Sequence, residues 1–258
     1  MRRRGDTVSW LRYLTLAVVL VGLAGLPLPA HAAAAAEAES NHDPLEGFNR
    51  GMFWFNDKLD LYVIEPVAKG WDKVMPDAVQ HSIRNFFSNL RFPIVAGNAL
   101  LQAKFKQAGS DVGRFVVNTT VGVAGFFDPA TGWGLPAHDE DFGQTLGYWG
   151  TPPGPYLVLP FFGPSDPRDT VGLAADSFST VYPFFIVYYY TFGARAIDLV
   201  NTRAHYLKQV KEAKEASLDY YSAVRNAYVR RRKALVNDET GISEKEAEYL
   251  YNVDTDEE

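Results

Sequence analysis

Residues 43–60 read Asp43-Pro44-Leu45-Glu46-Gly47-Phe48-Asn49-Arg50-Gly51-Met52-Phe53-Trp54-Phe55-Asn56-Asp57-Lys58-Leu59-Asp60. Asp43 is a capping residue, Pro44 fits the first helical position, and Glu46 stands three residues after the cap. Together they predict a helix from Pro44 to about Asp60. Leu45, Phe48, Met52, Phe55 and Leu59 recur at alternating spacings of three and four, which makes one apolar stripe. Phe53 and Trp54 widen that stripe beyond what a single core contact needs, so part of it is free for another surface.

Working downstream, Pro or polar breaks delimit further helices at Pro66 to Val74, Pro76 to Asn89, Pro93 to Gln102 and Phe105 to Thr120. No segment alternates convincingly enough to predict a strand. From Asp128 to Thr170 the chain carries 7 Gly and 8 Pro, a density that argues against ordinary helix. Phe142, Leu146, Tyr148, Trp149 and Tyr156 are interleaved with these breakers. A long apolar loop of this kind is either functional or a surface excursion packed by its own aromatics. Ser177 to Ala194 is an uncharged run centred on Pro183 to Tyr190. Its proline and clustered tyrosines suit a helix lying in a membrane interface, or a buried core helix, better than a membrane span. The remainder, from Ile197 to Tyr228, is amphipathic, with an interruption around Lys211 to Ser217 that allows a turn.

Upstream, Arg2, Arg3, Arg4 and Arg12 precede an apolar run from Tyr13 to Leu26, then Ala30-His31-Ala32. That order is the pattern of a secretory signal, predicting cleavage after Ala32 and a loose leader over residues 33–42. The helical domain then spans residues 43–236, and residues 237–258 form an acidic tail. The 258-residue chain has 25 Lys plus Arg against 31 Asp plus Glu. Losing four arginines and one aspartate with the signal moves its formal charge from −6 to −9, which excludes nucleic acid as a partner. Apolar residues at 47% and aromatics at 14% exclude a disordered chain. With no cysteine, disulfides, thiol catalysis and Cys-linked lipid anchors are excluded.

Little in the sequence points to catalysis. His42, His81, His138 and His205 include no pair at the spacing of a helical zinc site. No nucleophile elbow or phosphate-cradling loop is present, so no catalytic residue, metal or cofactor is assigned. His138-Asp139-Glu140-Asp141 is the one dense polar cluster. It reads as a solvated tip, with a metal-dependent hydrolase as the alternative.

The chain resembles the MlaA (VacJ) family of Gram-negative outer-membrane phospholipid-transport proteins. The resemblance begins at Asp43 to Arg50 and continues through Pro66-Val67-Ala68, Arg84-Asn85-Phe86, Arg114-Phe115 and Asn118 to Gly122. It then takes in Gly125-Phe126-Phe127-Asp128, Asp141 to Gly150, Gly154-Pro155-Tyr156, Leu159-Pro160, Arg168-Asp169, Thr202-Arg203-Ala204 and Val224 to Tyr228. These ordered motifs cover about residues 43 to 235.

That resemblance implies an all-α fold, a ring-like bundle of amphipathic helices lying flat in the inner half of the outer membrane, with a Gly/Pro-rich loop bordering a central channel. It implies transport of phospholipid out of the outer leaflet, with an outer-membrane porin and the periplasmic carrier MlaC as partners. A porin-binding scaffold without transport is the other reading. Phe126, Phe127, Phe142, Gly143, Leu146, Gly147, Tyr148, Trp149 and Gly150 are the expected channel or gating residues. Phe53, Trp54, Phe55, Phe184, Phe185 and Tyr188 are the expected membrane-embedded side chains. Many family members carry a lipoprotein cysteine at the signal junction, whereas here Ala33 follows Ala32. The expected location is therefore the periplasmic face of the outer membrane without lipidation, the alternative being the soluble periplasm.

Overall fold

The computed structural model describes residues 43–179 and 188–239. The predicted signal and leader, most of the predicted acidic tail, and Phe184 and Phe185 lie outside the described residues. Eleven helices and a small hairpin are described. They are α1 (Glu46–Leu59), α2 (Glu65–Val74), α3 (Asp77–Leu90), α4 (Phe92–Leu101), α5 (Phe105–Thr120), α6 (Pro129–Gly132), α7 (Phe142–Tyr148), β1 (Leu157–Leu159), β2 (Gly163–Ser165), α8 (Pro167–Ser179), α9 (Tyr188–His205), α10 (Leu207–Ala216) and α11 (Tyr220–Val236). The fold is all-α, as the sequence predicts. Its packing closes on itself. α1 touches β1, β2 touches α11, and α11 touches α7; the circuit continues through α4, α3, α9 and α2 and returns to α1.

The first two helices form one continuous run, where the sequence predicts a break before Pro66. A π-helical turn, Asp60–Ile64, joins them. Pro66 lacks an N–H and its ring would collide with the carbonyl four residues back, and the wider turn absorbs that collision. Residues five apart share a face in such a turn. Asp60 and Glu65 consequently both reach Arg203 of α9, whose Nε and Nη2 donate to the two Asp60 oxygens at 2.7 and 2.9 Å.

Two expectations for the Gly/Pro interval are corrected. It holds α6, α7 and the start of α8, because local caps outweigh the breakers. Asp128 accepts from Thr131 N ahead of Pro129, and Asp141 accepts from Gln144 N at 2.8 Å. It also holds the antiparallel hairpin, in register Leu157 with Ser165 and Leu159 with Gly163. So short a hairpin survives because α1 finishes its free edge. Asn49 Nδ2 donates to the Tyr156 carbonyl and Val158 N donates to Asn49 Oδ1, both at 2.9 Å. One register further on, Asn56 Nδ2 donates to the Leu159 carbonyl and accepts from Phe161 N. Asparagines seven residues apart share a helix face, so α1 behaves toward β1 as a neighbouring strand would.

Candidate functional site

The burial pattern is inverted. Among the described residues, the largest fully buried side chains are Gln102, Gln144, Val158, Asn49, Asn201 and Thr145. The buried apolar set is mostly alanine and valine, and one small cluster joins Tyr156, Val158 and Tyr221. Large apolar side chains stand outside instead: Trp54 is 62% exposed, Tyr62 71%, Phe105 70% and Phe161 71%. In a chain surrounded by water the positions would be exchanged, and apolar surface on this scale marks contact with lipid or another protein. No helix among the described residues is long and apolar enough to cross a membrane.

On α1 the predicted stripe splits. Leu45, Phe48 and Phe55 face outward, whereas Met52 packs against the Tyr156, Val158 and Tyr221 cluster, Leu59 is half-buried, and Asn49, Phe53, Asn56 and Asp60 complete the inward face. Of the side chains expected in a membrane, Trp54 and Phe55 are exposed, whereas Phe53 turns inward and packs edge-on to Tyr220 and Tyr221 at 5.5 Å. Tyr188 starts α9.

Buried polar networks hold the interior. Arg232 of α11 spans two carboxylates, donating from Nη1 to Asp141 at 2.6 Å and from Nη2 to Asp169 at 2.7 Å. The Tyr228 hydroxyl donates to Asp169 at 2.6 Å and lies 3.1 Å from an Asp166 oxygen. Burial tends to raise the Asp141 carboxyl, but the Arg232 guanidinium and the Gln144 amide outweigh it and hold the group at about 2. Burial, reinforced by the charge of Asp169, pushes the Asp166 carboxyl up. A second network ties α4 to α7: Gln102 Nε2 donates to Glu140 and Thr145, and Thr145 Oγ1 donates to Asn98.

These contacts disperse the one polar cluster of the sequence. His138 pairs with Asp111 at 2.6 Å, and Asp139 accepts from Arg91 and Arg231. Glu140 accepts from Gln102, Lys104 and Gln107, while Asp141 caps α7 and meets Arg232. The four side chains diverge instead of converging on one point. No group of three or more His, Cys, Asp or Glu among the described residues is placed to hold a metal.

The expected channel residues divide between two places. Phe126 stacks on Phe86 at 4.8 Å, and it and Phe127 are exposed in the turn after α5. The others belong to α7 and its end. Leu146 is buried, Phe142 meets Trp149 edge-on, and Trp149 Nε1 donates to the Leu101 carbonyl at 3.1 Å. Tyr148 is half exposed, with the Lys104 ammonium 5.9 Å from its ring centre. Gly143 and Gly147 serve close packing. A Cβ on Gly172 of α8 would lie 2.3 Å from Gly143 N, and one on Gly147 would meet Arg168 and Val236 at 2.9 Å. Gly150, at φ +91°, is the member of the set that uses glycine's conformational freedom.

Two hollows lie elsewhere. An open groove of about 900 Å³ runs between the start of α5, at Lys104 to Gln107, and the loop at Gly134 to Pro136. A cavity of about 50 Å³ beside it is lined by Asp111, Arg114, Asn118, Asp128 and the stacked rings of Phe92 and Phe115. His138 borders both. Sequence reasoning placed His138 in a polar cluster and missed its partner Asp111, because the two are 27 positions apart and only the fold brings them together.

Comparison with known proteins agrees with this architecture. The family model described as MlaA lipoprotein matches residues 41–235. The intermembrane phospholipid transport system lipoprotein MlaA of Escherichia coli K12 is 36% identical over 211 residues, 80% of this chain and 83% of that one. The protein of the same name from Haemophilus influenzae is 33% identical over 222 residues, 82% and 86% of the two chains. An uncharacterized protein of Rickettsia felis is 38% identical over 200 residues, 76% and 78%. A solved structure reported as the structural basis for maintenance of bacterial outer membrane lipid asymmetry superposes with a TM-score of 0.67 at 35% identity, covering 75% of this chain and 98% of that one. The chain belongs to the MlaA lipoprotein family.

Proposed function

We propose that this protein transports phospholipid between membranes, withdrawing misplaced molecules from the outer leaflet of the outer membrane and so maintaining its lipid asymmetry. The observation that carries the reading is the inverted burial: an aromatic, apolar exterior around helices joined by buried amides and ion pairs. Such a body is stable when its rim meets hydrocarbon and its interior supplies polar partners. Moving two acyl chains, roughly 30 methylenes at about 0.8 kcal/mol each, through water costs on the order of 25 kcal/mol. A passage that shelters the chains and leaves the headgroup hydrated removes most of that barrier without bond-breaking chemistry.

On this reading the rim sets the depth at the periplasmic face, and depth decides which leaflet's lipids enter. A chain without cysteine has no thiol to acylate, so the rim and a porin partner hold it in place, and a soluble periplasmic carrier of the MlaC type receives the lipid. The test uses the full protein reconstituted in vesicles containing a fluorescent phospholipid, with a soluble lipid-binding acceptor outside. Transfer to the acceptor well above the spontaneous rate, with phospholipid co-purifying with the protein, is the expected result. Transfer at the spontaneous rate and a lipid-free protein would overturn the reading.

A further inference from the structure

We propose that the cavity at Asp111 seats a primary ammonium, the cationic end of an ethanolamine-type phospholipid headgroup, with the phosphate of that headgroup lying toward Lys106 in the adjoining groove. The inference rests on the transport reading above and names the headgroup that reading leaves open. Asp111 is 5% exposed, and one of its oxygens pairs with His138. The other, Oδ2, has no hydrogen-bond partner although it is buried. A buried carboxylate oxygen left unpaired costs free energy that a bound donor recovers.

The nearest cation cannot serve, because Arg114 is already committed. Its Nη2 pairs with Asp128, and its Nη1 donates to Thr131 Oγ1 at 2.9 Å and to the Leu135 carbonyl at 2.8 Å. Two carboxylates, Asp111 and Asp128, line the cavity against the single guanidinium of Arg114. An ammonium adds a second positive charge and supplies the missing N–H donors. A metal fits less well, since no three carboxylate or imidazole ligands converge there among the described residues.

His138 lines both hollows, so a molecule reaching past it places opposite ends in the two of them. The groove carries the complementary charge, with Lys106 exposed at the first turn of α5 and no acidic residue in that turn. Phe105 and Leu135 give it an apolar lining for the start of the acyl chains. Positive charge beside a helix N-terminus is unfavourable unless an anion joins it, and a phosphate would be that anion.

The test offers the purified full-length protein an equimolar mixture of phosphatidylethanolamine and phosphatidylcholine in mixed micelles and reads retained lipid by native mass spectrometry. Quaternary choline has the charge but no N–H, so the expected outcome is at least tenfold enrichment of the ethanolamine lipid. Asp111→Asn should bring that ratio toward one with total lipid unchanged. A ratio near one in the wild type, or an unaltered ratio in a folded Asp111→Asn protein, overturns the proposal and leaves a cavity for water. If the variant does not fold, a series of successively N-methylated ethanolamine lipids on the wild type decides, stepwise loss of retention supporting the proposal and a flat profile overturning it. Free ethanolamine is the remaining arm. Binding of it that leaves the lipid ratio near one overturns the headgroup assignment in favour of a soluble amine. A wild-type protein retaining no lipid strikes the transport reading instead, and a thermal shift with free ethanolamine then tests the cavity separately, its absence overturning the ammonium site.

Discussion

Asp141 shows how much one side chain can carry. It caps α7, lies between that helix and α11, and gives Arg232 its bidentate partner. Its folded-state pKa of about 2 lies below the ordinary 3.8, so its contribution is complete above about pH 4 and is lost as pH falls toward 2. By the 1.36 kcal/mol per unit that links pKa to stability, that contribution is about 2 kcal/mol. Asp141→Asn keeps a capping oxygen but leaves Arg232 short of charge. It should lower unfolding stability by roughly 2 kcal/mol at pH 7, and the variant and wild-type curves should draw together as pH falls to 2 and below, as read by denaturant titration across that range. The cap is a local signal, Asp before Phe-Gly-Gln, but the Gly and Pro density of the interval hid it from the sequence reading. The partnership with Arg232, 91 residues away, has no local signal.

Helices and turns make different demands. α7 and α8 approach until their glycines touch, and at that crossing Gly172 has backbone, not a movable side chain, against it. Gly172→Ala should therefore cost about 3 kcal/mol, the upper end of ordinary overpacking, visible as a lowered thermal midpoint in detergent. Gly47, with open space around its missing Cβ, is the control and should be close to neutral. Gly143 and Gly147, expected as channel or gating residues, serve close packing instead. A glycine that permits contact and one that permits a turn look identical in sequence, and only the neighbouring helix distinguishes them. The hydrophobic stripe of α1 carried a similar ambiguity, since periodicity reveals that a helix has two faces without saying which faces inward. Trp54 on α1 and Phe162 at the hairpin tip are both exposed and should anchor the rim. Trp54→Ser combined with Phe162→Ser should weaken vesicle binding roughly 10²- to 10³-fold, taking about 2 kcal/mol for each side chain. Flotation with liposomes would measure this, with the unfolding midpoint unchanged.

Across the whole molecule, function follows from a body assembled inside out, with amides and ion pairs binding the elements and aromatics turned to the surroundings. Such a body gains little from a conventional oily centre and is expected to owe its stability to the membrane as much as to itself. Proline and polar breaks with apolar periodicity were enough to read a helical chain, because each depends on residues within one or two turns of each other, although α1 starts at Glu46 with Leu45 and not Asp43 at its cap position. Helix ends at Val74 and Thr120 could be read directly for the same reason. Closure of the packing circuit, the inward turn of Phe53 and the meeting of Asp111 with His138 depended on contacts between segments far apart in the chain. Local energetics choose the elements, but long-range packing chooses which face of each element is buried, and no run of neighbouring residues contains that choice.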